Sequence, residues 1–271
     1  MTANTADEPA ELREWERYDS RRRLLRFFGL LLAAVVLIAS WRALDVRYQF
    51  LASAPREAQD LVSRMFPPDM AYSFEIVRPL IETVNIAILG TILAVLLAAP
   101  VAYIGAENTA PNRASYALGK FIISASRSVN ILIWALIFVV VFGPGVLAGV
   151  LATAVRSIGF LAKLLAESIE EIEYGQIEAV RAAGAGGLAT LIYGIVPQIK
   201  PAFVGLVTYR WDINVRAATI LGFVGAGGIG VELTQSINAF RWDAVAMILL
   251  AILVVVLFSE AFSAYVRRKV S

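Results

Sequence analysis

Neither cysteine nor histidine occurs anywhere in the 271 residues. Their absence removes disulfides, thiol catalysis, zinc centres built on Cys or His, and histidine proton relays. Any chemistry must therefore use Arg, Lys, Asp, Glu, Asn or the backbone. No Gly-x-x-x-x-Gly-Lys-Ser/Thr phosphate loop is present either, so nucleotide hydrolysis by that device is excluded. Charge is scarce as well: 17% of the residues are charged, 59% are hydrophobic, and the mean hydropathy is +0.70. No ordinary water-solvated domain is this apolar.

The apolar residues fall in runs long enough to cross about 30 Å of hydrocarbon, roughly 20 residues at helical rise. A polar segment over 1–23 ends in Arg21, Arg22 and Arg23 and leads into a first span over 24–41. Cations before the first span place the amino terminus inside the cell. The competing expectation, a cleaved secretory signal, is weakened by the length of the apolar run and the poor cleavage-site pattern. Residues 42–78 carry mixed charges with Pro55, Pro67 and Pro68, as an external loop with one short surface helix would. Further spans are expected over 79–104, 120–142 and about 146–165. A polar turn at 106–119 and the breaker Gly143-Pro144-Gly145 separate them. A fifth span runs from 188–197 to about Ile213, bent at its entry by Pro197 and Pro201. Residues 219–240, crowded with glycine, suit a re-entrant or broken helix buried in protein. A last span over 242–265 stops at Arg267, Arg268 and Lys269, leaving 267–271 as a cytoplasmic tail. The expected fold is thus all-α and integral to the membrane. It has about six transmembrane helices, a core bundle over 79–266 and both termini cytoplasmic.

Residues 167–187 break the apolar pattern, because Glu167, Glu170, Glu171, Glu173 and Glu178 cannot lie in hydrocarbon. Ile169, Ile172, Ile177 and Val180 recur near helical spacing, which predicts two short amphipathic helices joined at an elbow near Gly175. The segment Glu178-Ala179-Val180-Arg181-Ala182-Ala183-Gly184, followed thirteen residues later by Pro197, resembles the EAA loop of ABC-importer permeases. Val180, Gly194 and Val196 depart from the usual Ala, Ile and Leu. Ile133-Trp134-Ala135-Leu136-Ile137-Phe138, the acidic lead-in to Gln176, residues 209–216 and Gly225-Ala226-Gly227-Gly228-Ile229-Gly230 extend the likeness. From residue 79 onward the chain resembles the permease of phosphonate ABC importers, with a type I importer (MetI-like) bundle.

That resemblance implies a transport subunit of a bacterial plasma membrane, not an enzyme. It implies a second permease copy, two ATPase subunits carrying ATP and Mg, and an extracytoplasmic substrate-binding protein as partners, with membrane lipid around it and no nucleic acid. The substrate would be phosphonate or a related phosphorus oxyanion such as phosphate or phosphite. The EAA match assigns ATPase coupling to Glu178, Ala179, Arg181, Gly184 and Pro197. A short helix held between two spans is also what a soluble motor needs in order to push a membrane bundle. Small Ala179, Ala182 and Ala183 permit close docking, and Gly184 permits the turn back to the membrane. The alternative, a surface helix resting on lipid, is disfavoured by five glutamates facing an anionic leaflet.

Charges inside spans are costly unless paired or facing a wet cavity. Arg127, Arg156, Arg210, Asp212, Asn214 and Arg216 are therefore candidates for a translocation path. Asp212 and Arg216, four apart on a helix, can neutralise each other. Arg210 and Asn214 share another face and have no obvious local partner. A positive interior would attract a phosphonate-like anion. Gly225, Gly227, Gly228 and Gly230 satisfy the dinucleotide fingerprint, but no βαβ unit surrounds them. Close packing or a kink at an outer gate is the better reading. Two other classes compete: a self-contained secondary transporter of a small anion and an intramembrane enzyme. The first would need coupling acids, of which few stand within spans, mainly Glu82, Asp212 and Glu260, and an internal repeat, of which none is visible. The second would need a nucleophile or metal constellation. An ABC permease for another solute, such as an amino acid, is a further alternative.

Overall fold

The computed structural model describes residues 20–44 and 47–270. The cytoplasmic segment expected over 1–23 lies mostly outside these residues, and so does Ser271 of the tail. The chain forms two compact units, 1–59 and 60–271. In the first, α1 (Ser20–Ala43) is long and apolar enough to span a membrane. The Trp41 indole N–H donates to the Tyr48 hydroxyl just beyond its end. The short surface helix expected between 42 and 78 is α2 (Gln49–Met65). Its apolar positions, Leu51, Ala54, Ala58, Leu61, Val62 and Met65, recur at helical spacing.

The second unit consists of α3 (Val77–Gly105), α4 (Arg113–Ser128), α5 (Ile131–Phe142), α6 (Val146–Glu170), α7 (Tyr174–Ala182), α8 (Gly187–Thr190), α9 (Val196–Leu221), α10 (Ile229–Asn238) and α11 (Trp242–Val270). No strand occurs among the described residues. Among the described residues of both units, α1 included, five helices, or six spans if the bent α4–α5 pair is counted as one, meet the length and hydropathy of a crossing.

Helix α6 is the centre of this unit, with α3, α4, α5 and α9 all packed on it and α3 most extensively. The α3–α6 seam is made of small residues. Ala87, Gly90, Ala94, Ala98 and Ala102 of α3 and Ala148, Gly149, Ala152 and Ala162 of α6 are buried. Two backbones can approach closely only over such residues. A Cβ on Gly90 would stand 2.7 Å from the Thr153 side chain, one on Gly149 2.5 Å from the Ala226 carbonyl, and one on Gly119 of α4 2.7 Å from the Gly105 Cα.

Three expectations are corrected. The third span is no continuous helix over 120–142: α4 and α5 meet at 90°. Val129 and Asn130 are extended there, and the Asn130 side chain accepts from the Leu132 N–H at 3.0 Å, which caps a new helix. Residues 167–187 hold one short helix and not two. Glu167–Glu170 finish α6, the chain turns at Glu171–Glu173, and Gly175 lies inside α7. The entry to the fifth span breaks ahead of its prolines, in a π turn at Leu191–Ile195 between α8 and α9. Pro197 has no N–H to give the preceding turn and its ring crowds that turn's carbonyl, so a wider turn relieves both faults.

Glycine packing of this kind is testable. Gly222 faces Gly230 so closely that a Cβ would fall 2.2 Å from the Val231 nitrogen. Gly222→Ala should lower the stability of the detergent-solubilised protein by about 1–3 kcal/mol, as overpacking does. Gly175→Ala, with nothing within 4 Å of the added methyl, should leave it unchanged or raise it by about 0.5–1 kcal/mol. Thermal unfolding followed by tryptophan fluorescence distinguishes the two. Equal midpoints would show that the Gly222–Gly230 contact is not tight.

Candidate functional site

Two regions gather most of the candidate residues, and a third, at the opposite end of the bundle from α7, gathers the glycines. The first region is α7 and its roots. The helix ends in a Schellman motif: the Gly184 N–H donates to the Arg181 carbonyl at 2.9 Å and the Ala185 N–H to Val180 at 3.4 Å. Gly184 takes φ +85, and nothing lies within 4 Å of where its Cβ would be. The glycine is thus demanded by backbone conformation alone. Glu178, Ala179, Arg181, Ala182, Ala183 and Gly184 are exposed, as is Pro197 at the start of α9. Ile172 and Ile177 are buried against Ile169 and Ile195.

Polar contacts fix the same region from both sides. The Gln198 side chain accepts from the Glu173 N–H at 2.9 Å and donates to the Gly194 carbonyl at 2.7 Å. In the turn between α3 and α4, Asn108 Nδ2 donates to the Ile169 carbonyl at 2.6 Å and the Glu107 N–H to Glu170 at 2.9 Å. Lys120 stands 3.7 Å from the same Glu170 carboxylate. The exposed face of α7 is therefore carried on a rigid mount joined to α3, α6 and α9.

The second region is a polar seam inside the bundle. Arg210 Nε donates to Ser157 Oγ at 2.9 Å, Ser157 Oγ to Asn214 Oδ1 at 3.1 Å, and Asn214 Nδ2 to Thr91 Oγ1 at 2.9 Å. Thr91 Oγ1 ends the chain on the Ala87 carbonyl at 2.6 Å. The Arg210 guanidinium also stacks 5.0 Å from the Phe160 ring centroid. Arg210 and Asn214, which have no evident partner in the sequence, thus obtain one from α6 and α3. Asp212 pairs with Arg216, and its other oxygen accepts from Ser259 of α11 at 2.7 Å. Arg210, Asp212 and Asn214 are buried, and the Arg216 side chain is 44% exposed.

Arg156 is half-buried on α6 and lies within electrostatic reach of Arg210. Arg127, exposed at the end of α4, rests its stem so close to α6 that a Cβ on Gly159 would meet Arg127 Cγ at 2.8 Å. Three arginines from three helices thus stand at the level of one turn of α6, residues 156–160, with Arg127 against Gly159 and Arg210 against Ser157 and Phe160. Among the described residues, the ion pairs include none of them.

The glycines stand where the loop over 225–228 meets the α5–α6 hairpin. Gly225, Gly227 and Gly228 have φ of +80, +84 and +75. The Gly145 N–H donates to the Gly225 carbonyl at 2.9 Å, and the Ile229 N–H to Thr83 Oγ1 at 2.8 Å. Gly230 is packed on Gly222. Behind this loop, the Tyr72 hydroxyl donates to Glu232 at 2.9 Å beneath the Arg241 guanidinium. Sequence reasoning missed Thr83, Thr91, Ser157 and Ser259, the small hydroxyls that partner these groups. The available signal was a hydroxyl within an apolar span, which gains by finding a partner. Nothing in the sequence signals the Tyr72–Glu232 contact.

Comparison with known proteins agrees with this architecture. Residues 90–271 match the family described as binding-protein-dependent transport system inner membrane component. The chain is 38% identical over 260 residues to the phosphite transport system permease protein PtxC of Stutzerimonas stutzeri, covering 92% of this chain and 94% of that one. It is 37% identical over 232 residues to the phosphate-import permease protein PhnE of Mycolicibacterium smegmatis, covering 86% of this chain and 43% of that one. Among solved structures it resembles a chain of the MetNI methionine ABC transporter in an inward-facing form, with a TM-score of 0.65 at 23% identity, covering 75% of this chain and 99% of that one. With a glycine-built helical bundle and a matched stretch that takes in α7 and the arginine-bearing helices α4, α6 and α9, the chain belongs to the family of binding-protein-dependent transport system inner membrane components, as the permease subunit of an ABC importer.

Proposed function

We propose that this permease carries a phosphorus oxyanion, phosphonate, phosphite or phosphate, into the cell. The observation that carries the reading is that Arg127, Arg156 and Arg210 stand at one turn of α6, and among the described residues no carboxylate is paired to any of them. Asp212 and Arg216 neutralise each other, so the local charge remains positive. Cations held within spans are costly unless an anion visits them, and guanidinium forks match phosphoryl oxygens. The relatives named for phosphite and phosphate transport support the same substrate class.

In this reading two copies of the chain enclose the path, and an extracytoplasmic binding protein delivers the anion. Two ATPase subunits inside grip the exposed face of α7, with Glu178, Ala179, Arg181 and Gly184 in the contact and Pro197 holding the adjacent joint. ATP and Mg stay on those partner chains. Both termini are cytoplasmic, and the loop over 225–228 belongs to the outer gate. Arg210, bound within the bundle, sets the field of the path, while half-buried Arg156 and exposed Arg127 meet the anion.

Uptake of radiolabelled phosphite into proteoliposomes containing permease, ATPase and binding protein tests the assignment. Arg156→Ala should cut uptake at least about tenfold, the worth of one charge-assisted contact of 1.4 kcal/mol or more, while the ATPase still copurifies; Arg156→Lys should recover part of it. Unchanged uptake by Arg156→Ala would remove that residue from the path. Gly184→Trp and Glu178→Arg should insert normally yet lose substrate-stimulated ATP hydrolysis by about tenfold or more. Normal stimulation in both variants would refute α7 as the docking element.

A further inference from the structure

A groove of about 710 Å³ opens where α3 and α6 end and the π turn enters α9. Pro100 and Ile104 of α3, Ile169 of α6, Ile195 of the π turn and Phe203 of α9 are among its walls, and only Tyr103 and Lys200 among the lining residues are polar. Such a lining offers water few partners and favours an apolar occupant. Its depth in the membrane follows from the helix ends. Ile104 and Ile169 each stand one residue before their helices stop, at Gly105 and Glu170. The polar turn over 106–112 and the acidic segment after α6 begin at that level, so the rim of the groove lies at the boundary between hydrocarbon and headgroups.

Lys200 is exposed at this rim and belongs to none of the ion pairs among the described residues. A lysine whose stem lies on apolar wall and whose ammonium reaches the interface is the snorkelling arrangement. Tyr103 adds an amphipathic ring with a hydroxyl at the same level. Apolar volume inside the bilayer, with an unpaired cation where phosphates lie, is complementary to one ligand class.

We propose that the groove binds an anionic phospholipid, with one acyl chain between α3, α6 and α9 and its phosphate against Lys200. The site is distinct from the arginine turn and does not depend on the substrate reading. It shares Leu191 and Ile195 with the mount of α7, since Ile195 packs on Ile177. A seated chain therefore braces the joint from which α7 hangs.

Photocrosslinking tests this. The assembled permease–ATPase complex is reconstituted in phosphatidylcholine vesicles doped with phosphatidylglycerol or phosphatidylcholine bearing a diazirine on the acyl chain, and labelled peptides are mapped by mass spectrometry. Phosphatidylglycerol should label residues 99–104 and 195–204 about fivefold more than phosphatidylcholine does, the preference one cation near the headgroups gives. Exposed Val140 and Val141 of α5 should show no such difference and serve as the internal reference for folding and insertion. Lys200→Glu should abolish the preference and Lys200→Arg should keep it. Equal labelling of the groove by both lipids would mean ordinary boundary lipid and would overturn the proposal. So would a preference that survives Lys200→Glu, or a groove unlabelled because it is sealed by a second copy of the chain.

Discussion

Helices in hydrocarbon gain nothing by hiding apolar side chains from one another, because lipid tails are as apolar as leucine. Association must come from close backbone approach and from polar groups that have no better partner. The α3–α6 seam meets the first condition with alanine and glycine, and its tightness is set by contacts such as Gly90 against Thr153. Everything else in the second unit is referred to that seam. Helix α4 reaches α6 only because Gly159 lets the Arg127 stem lie across it, and the loop over 225–228 reaches the bundle only because Gly149 admits the Ala226 carbonyl.

The second condition explains why the buried polar residues form chains and not isolated pairs. Arg210, Ser157, Asn214 and Thr91 pass hydrogen bonds in one direction from α9 to α6, back to α9 and on to α3, ending on a backbone carbonyl. Arg210 Nε, both hydroxyls and the Asn214 amide each donate within this chain, which matters because an unmet buried polar group costs about 1–3 kcal/mol. Ser259 does the same for Asp212 from α11. Four helices are thus tied at one level by groups that would be expensive to separate.

The spans and the exposed acidic segment were legible from hydropathy and from where charge interrupts it, since both are one-dimensional consequences of an apolar solvent. The turn after α7 was legible too, because a left-handed residue at a helix end selects glycine at Gly184. What escaped depends on pairings between distant residues. The break at Asn130 was hidden because α4 and α5 together have the length of one span, although Asn130 is itself a good helix cap. The π turn is a compromise forced by Pro197 within a helix that tertiary contacts hold on both sides, so its position cannot be read from propensity. The partner of Arg210 was invisible for the plainest reason: Ser157 lies 53 residues away.

In the proposed reading, in which α7 is the docking element, these constraints limit how a push on it can travel. Helix α7 is fixed to α6 through the turn at Glu171–Glu173 and to the start of α9 through Gln198 and Ile195, and α6 and α9 are fixed to each other by the polar seam. Gln198 and Arg210 are twelve residues apart on α9, roughly 18 Å at helical rise. Sliding α9 along α6 would break the Arg210–Ser157–Asn214 bonds together, in a medium where no water replaces them. Rotating α6 and α9 as one body breaks none of them. The strain of such a rotation would instead fall on segments already free of regular helix bonding, namely the π turn at Leu191–Ile195, the extended Val129–Asn130 joint and the glycine loop over 225–228. The joint adjoins Arg127 and the loop adjoins the α5–α6 hairpin, so in the proposed reading a rigid α6–α9 pair would change access to the arginine turn from the hairpin side while leaving the turn itself intact.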